Sequence, residues 1–199
     1  MVPATSKEEL GLVLAAHPEV KEIFIDGTER PVQRSSNYED QLKDYSGKKK
    51  RHTVKNMIVA WDNKMILAIW ETKWGKEHDY KMLKESWFME FLLWYILWVD
   101  LWFQWIKADY PHHNINIPKK NYKSKPLTQE DKDENRIISS IRVIIENIIW
   151  WAKKYWIIAN RYRGKTRGDF KTVATNRKHI VMLVVCWLYN IWKSNIFIS

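Results

Sequence analysis

The sequence predicts one α/β domain built on a mixed sheet flanked by helices. Three observations predict it. Short apolar or alternating runs, closed by turn residues, recur before residue 100. A long amphipathic helix follows near residue 130. The chain of 199 residues is long enough for one substantial core.

The elements follow in order. "KEIFID" (21–26) reads as a short strand entering the turn "DGTERP", with Gly27 and Pro31. The polar stretch 35–51 reads as a loop that ends in the basic run Lys48, Lys49, Lys50 and Arg51. "HTVKNMIVA" and "KMILAI" are two apolar runs separated by "WDN", a hairpin pattern. In "EHDYKMLKESWFMEFLL", Tyr80, Leu83, Trp87 and Phe91 recur at helical spacing. "YILWVD" reads as a strand closed by Asp100, and 110–126 carries the Asn, Lys and Pro of a loop. The strongest helix starts at the N-cap Thr128, with Gln129, Glu130 and Asp131 in its first turn. Isoleucines from Ile137 to Ile149 form one apolar stripe. A basic segment follows, and an apolar helix is expected over about 175–192. Strands, helix, strand and two further helices give an α/β or α+β domain.

Net charge is +10, which favours a polyanionic partner, nucleic acid or anionic membrane, over an acidic protein surface. The single cysteine, Cys186, excludes an internal disulfide framework and a cysteine-based zinc site, and a reducing compartment fits. "MVPATSKEEL" does not read as a signal peptide. Segments 87–106 and 179–192 are apolar, but the first holds Glu90 and Asp100 and the second falls short of the roughly 20 residues of a span. No membrane role is therefore expected.

Asp26 and Asp100 are read as strand-end carboxylates. Glu146 lies away from most of the isoleucines, with Arg142 four residues before it and Lys153 seven after. The three share one polar stripe, extended by Asn135 and Ser139. Converging carboxylates can hold hard divalent cations, and two such ions can drive phosphodiester displacement. Alone, the pattern is better read as two turn aspartates and a solvated helix glutamate.

"DGTERPVQRSSNYEDQLKDYSGKKKRHTVKN" resembles the opening of the catalytic domain of DDE-type insertion-sequence transposases. These share the RNase H-like fold with retroviral integrases and Harbinger-type transposases. "GKEHDYKMLKES" resembles the family's His-Asp segment, here His78 and Asp79, and "VDLWFQW" its second-aspartate motif. "PLTQEDKDENRIISSIRVIIENIIWWAKKY" resembles the third-acid helix, with Arg142, Glu146 and Lys153 matching Arg, three residues, Glu, six residues, Lys. Ser139 replaces the tyrosine expected three before the arginine.

The resemblance implies an RNase H-like mixed sheet flanked by helices. It makes Asp26, Asp100 and Glu146 a catalytic triad for Mg²⁺ or Mn²⁺, two ions in all. It implies double-stranded DNA as substrate, cut at transposon ends and then joined to a target by a 3′-hydroxyl. Arg142 and Lys153 would contact DNA or orient the glutamate, and His78 and Asp79 would be accessory. Lys48, Lys49, Lys50, Arg51, the run 119–125, Arg161 and Arg163 would neutralise phosphates. Residues 21–192 would form the catalytic domain, 1–20 a remnant or linker and 193–199 a tail. The 25 residues before Asp26 are too few for a helix-turn-helix domain, so a catalytic fragment, a second reading frame and a decayed copy all fit. A homodimer or larger assembly, working in the bacterial cytoplasm on the nucleoid, is expected. The alternative is a catalytically inactive, basic DNA-binding remnant.

The chain has 13 Trp and 6 Gly, where ordinary usage would give about 14 glycines. Trp102, Trp105, Trp150 and Trp151 stand where the family motifs carry glycine, and Trp74, Trp87 and Trp187 where a small residue is expected. Trp102, two past Asp100 in an extended chain, would point into the metal site. Trp150, four past Glu146, would sit on the catalytic face. An organism reading UGA as glycine, with UGA written here as tryptophan, accounts for all of this. A decayed copy and an aromatic surface for single-stranded DNA are the rivals.

Overall fold

The computed structural model describes residues 1–163 and 171–196, with side chains outside 171–176 and 195–196. A helix α1 (Lys7–Ala16), capped by Ser6, precedes the expected elements and buries Leu10 and Leu14. Ala4 bridges to Ala68, so the first residues join the same sheet and core.

The sheet contains β1 (Glu22–Pro31), β2 (Tyr45–Ser46), β3 (Arg51–Trp61), β4 (Ile66–Ile69), β5 (Lys73–Trp74), β6 (Ile96–Val99) and β7 (Asn114–Asn116). β3 is the long spine. One of its edges pairs antiparallel with β1, and the other with β2, β5 and β4 along its length. Beyond β1, β6 and β7 add in parallel. The sheet is thus mixed, as expected for an RNase H-like domain.

Both faces are covered, which is why β3 and β4 read as near-continuous apolar runs. Ile23, Ile25, Met57 and Val59 face α1, α3 (Asp79–Glu85) and α4 (Phe88–Phe91). Phe24, Ile58, Ala60 and Trp98 face α6 (Gln129–Lys154), α7 (Trp156–Ala159) and α8 (Lys171–Ile196). Thr128 caps α6 in a full capping box with Asp131, as its sequence foretells.

Four expectations change. β1 does not turn after Asp26: Gly27–Pro31 stay extended because Met57–Thr53 of β3 pair with them. Long-range pairing here overrides local turn chemistry. The stretch 35–51 folds a short helix α2 (Tyr38–Asp44), capped by Asn37, and the strand β2. The helix expected over 77–93 breaks at the extended Ser86, leaving α3 and α4. After Asp100 the chain coils into a 3₁₀ turn, Leu101–Phe103, then α5 (Ile106–Asp109), and the loop after it gives the edge strand β7. The hairpin of β3 and β4 forms as read, with Lys64 in its turn at φ 71°.

Among the described residues, no helix is long and apolar enough to cross a membrane.

Candidate active site

The register of the parallel ladder builds the site. Its last pair is Ile25 with Val99, so Asp26 and Asp100 stand side by side one residue further on. Neighbouring strands lie about 4.8 Å apart, which sets the spacing of the two backbones. Asp26 is therefore not at a strand end; it sits where β6 stops beside a continuing β1. Each carboxylate accepts a 2.7 Å hydrogen bond from the next backbone N–H, of Gly27 and of Leu101. Strand alternation turns Asp26 to the same face as Phe24, toward α6.

Helix α6 meets the pair with Arg142, which is buried. Its guanidinium lies 3.1 Å from Asp100 Oδ1 and 3.8 Å from Asp26 Oδ2. Arg142 Nε is buried without a hydrogen-bond partner. Burial pushes the Asp26 carboxyl up to about 6; Arg142 opposes this, while Asp100 adds to it. Two partly buried carboxylates this close call for a cation, and in this structure a guanidinium serves both.

Glu146 stands one turn beyond Arg142, about 6 Å along the axis, and is exposed. Lys153 falls almost in line with Arg142 and is half-buried. Its pKa is lowered, first by burial and next by Lys49, while Asp26 and Glu29 pull it back up. Arg142 and Lys153 thus both face the aspartates' surroundings, as the polar stripe suggests. Among the described residues, no three His, Cys, Asp or Glu side chains cluster tightly enough to hold an ion.

The opposite face carries a group that the sequence did not flag. Lys55, paired in register with Glu29, is buried and forms ion pairs with Glu29 at 3.2 Å and Asp79 at 2.9 Å. Gly27 leaves room for Asp79, whose Cγ lies 3.1 Å from where a Cβ would stand. Asp79 also raises the Asp26 pKa. His78 caps α3, its ring accepting from the Tyr80 N–H at 3.3 Å. These residues line a cavity of about 330 Å³ with Trp102. Lys55 carried a sequence signal only in hindsight, as a lysine inside an apolar strand.

Trp102 does not enter the aspartate site, because the 3₁₀ turn replaces the extended chain its spacing assumed. It is 56% exposed, with Lys48 Nζ 5.5 Å from its ring. Trp150 is 57% exposed, and Lys154 Nζ lies 3.9 Å over it. The adjacent Trp151 shares Lys154, 4.0 Å from its ring, and also packs on Trp192 of α8.

Lys48, Lys49 and Lys50 occupy the exposed turn between β2 and β3, and Arg51 starts β3. Arg161 and Arg163 are exposed; 164–170 of that basic segment lie outside the described residues. Lys119, by contrast, is tied to Asp131 and Glu134.

A family model described as DDE superfamily endonuclease matches residues 25–190. The chain is 30% identical over 148 residues to a protein of Microchaete diplosiphon described as "Probable transposase for insertion sequence element IS702". That alignment covers 73% of this chain and 51% of the relative, so the chain spans about half the relative's length. No solved structure matches. The matched region runs from the residue before Asp26 in β1, through Asp100 and Arg142, into α8. This chain belongs to the DDE superfamily endonucleases.

Proposed function

We propose that residues 21–192 form a transposase catalytic domain that cuts DNA at insertion-sequence ends and joins them to target DNA. The observation that carries this is the adjacency of Asp26 and Asp100, clamped by Arg142 from the helix that bears Glu146 and Lys153. The oxygen-only donor set suits Mg²⁺ or Mn²⁺, which needs few protein carboxylates. Asp26 and Asp100 would hold it, with Glu146 completing the set. Bound there, it would supply Lewis-acid stabilisation of the phosphodiester oxygens and an activated nucleophile.

The chain's own residues do the rest. The N–H groups of Gly27 and Leu101 fix the rotamers of the two aspartates. Arg142 keeps both carboxylates turned to α6. Lys153, half-desolvated, offers a cation to a phosphate lying over Asp26. Lys48, Lys49, Lys50, Arg51, Arg161 and Arg163 neutralise the flanking backbone without reading its sequence. The two ends of an element must be held together, so the working form is a homodimer or larger assembly on DNA, associated with the nucleoid.

The test is Mg²⁺- or Mn²⁺-dependent nicking of duplex DNA. Asp26→Asn, Asp100→Asn and Glu146→Gln should each abolish nicking and leave cooperative unfolding intact. Nicking that persists in all three rejects the assignment. A folded wild type that binds DNA with a steep salt slope but never cuts is an inactive remnant.

A further inference from the structure

A second cationic feature lies at the far end of β1. Three segments converge there: the chain after β1, the β2–β3 turn and the chain after α7. Backbone hydrogen bonds fix them together. Val32 N–H donates to His52 O at 3.0 Å, Gln33 N–H to Tyr162 O at 2.9 Å and Tyr162 N–H to Pro31 O at 3.1 Å. They enclose a cleft of about 460 Å³, whose lining includes Arg34, Lys50, Arg51, His52, Arg161 and Tyr45.

No carboxylate is among its described lining residues. Elsewhere the surface lysines Lys7, Lys81, Lys84 and Lys119 are paired with acids. Four cations with no carboxylate partner among the described residues repel one another in one cleft, and a polyanion relieves that. Arg34 donates through Nε to Gln41 at 2.9 Å, which props the guanidinium beside the cleft. Lys50 is held at φ 52°, a left-handed conformation that few lysines adopt. His52 has a buried Nδ1 without a hydrogen-bond partner among the described residues, and its ring meets Tyr45 edge-on at 5.6 Å.

The cleft is connected to the aspartates. Lys153 is close enough to feel both Asp26 and the cations Lys49 and Arg51, so one lysine links the aspartate site to the cleft. From Asp26 to Pro31 is five residues of strand, about 17 Å. Phosphates of one B-DNA strand advance about 3.4 Å each along the axis, so the separation is about five nucleotides. A small anion would not need that continuity; a polymer does.

We propose that the cleft of Arg34, Lys50, Arg51 and Arg161 is a separate phosphate-binding site. It grips the DNA backbone about five nucleotides from the bond held at Asp26 and Asp100. This rests on the DNA-cutting reading above, and the experiment separates the two. Affinity for a 25-base-pair duplex is measured against NaCl without divalent metal, for wild type, R34A/R161A and a K81A/K84A control, whose lysines are paired with acids. Counterion release predicts that R34A/R161A lowers the log–log salt slope by about 1.8, and affinity by roughly 30-fold at 0.15 M salt. Its Mn²⁺ titration should match wild type, which shows an intact fold. Wild-type binding with an unchanged slope in R34A/R161A overturns the cleft and leaves the DNA reading standing. A wild type that binds Mn²⁺ but no DNA overturns both.

Discussion

Asp26→Asn should stabilise the metal-free protein increasingly as pH rises from about 4 to about 6, and by a constant amount above that. The wild-type carboxyl is pushed up to about 6 by burial, against an ordinary value near 3.9. Because the folded value is the higher one, the folded state holds the proton more tightly. That contribution is complete below about pH 4 and disappears as pH rises through 6. Two pH units correspond to about 3 kcal/mol, with the opposing charge of Arg142 already counted. Asparagine cannot ionise and escapes this loss. For a domain of this size, 3 kcal/mol is about 6–12 °C in Tm. The assay is urea and thermal unfolding of both proteins in chelator from pH 4.5 to 8. The difference should be about a third of its full size at pH 4.5 and level off above about pH 6, with Asp26→Asn the more stable. Mn²⁺ at pH 8 should then raise the wild type alone. A difference independent of pH, or wild type more stable at pH 8, would refute the view that burial dominates at Asp26.

Other outcomes follow from the same geometry. Arg142→Ala leaves two adjacent carboxylates without their buried cation and should cost about 3–5 kcal/mol in chelator, more at pH 8 than at pH 5, read from urea midpoints. Lys55→Ala strands Glu29 and Asp79 and should cost a similar amount, while Lys81→Ala, an exposed helix pair, should leave the urea midpoint nearly unchanged. Gly75→Ala would place a Cβ 2.1 Å from Thr53 Oγ1 and 2.6 Å from its carbonyl oxygen, so it should fail to reach the native fold in soluble expression. Peptides spanning 95–107 and 143–154 from source cells should carry glycine masses at 102, 105, 150 and 151. Tryptophan masses there would return the aromatic residues to the native chain.

Local chemistry made much of this protein legible. The Thr128 cap, the isoleucine stripe and the spacing of Arg142, Glu146 and Lys153 depend on contacts within a few residues, and α6 follows them. The β3–β4 hairpin is local in the same sense. The DDE family was readable because its motifs are runs of residues, and residues 25–190 match it. The tertiary structure decided the rest, because long-range pairing is not written in any one segment. β3 kept 27–31 extended where turn residues pointed to a bend. The crossover between β1 and β6 set the register that places Asp26 beside Asp100, and a one-residue slip would have turned one of them to the opposite face. The 3₁₀ turn after Asp100 swung Trp102 aside, and packing of α6 on the sheet put a guanidinium, not Glu146, between the aspartates. The cleft of Arg34, Lys50, Arg51 and Arg161 exists only because segments more than 100 residues apart share one sheet edge. Sequence carried the chemistry of each group; only the fold could choose their neighbours.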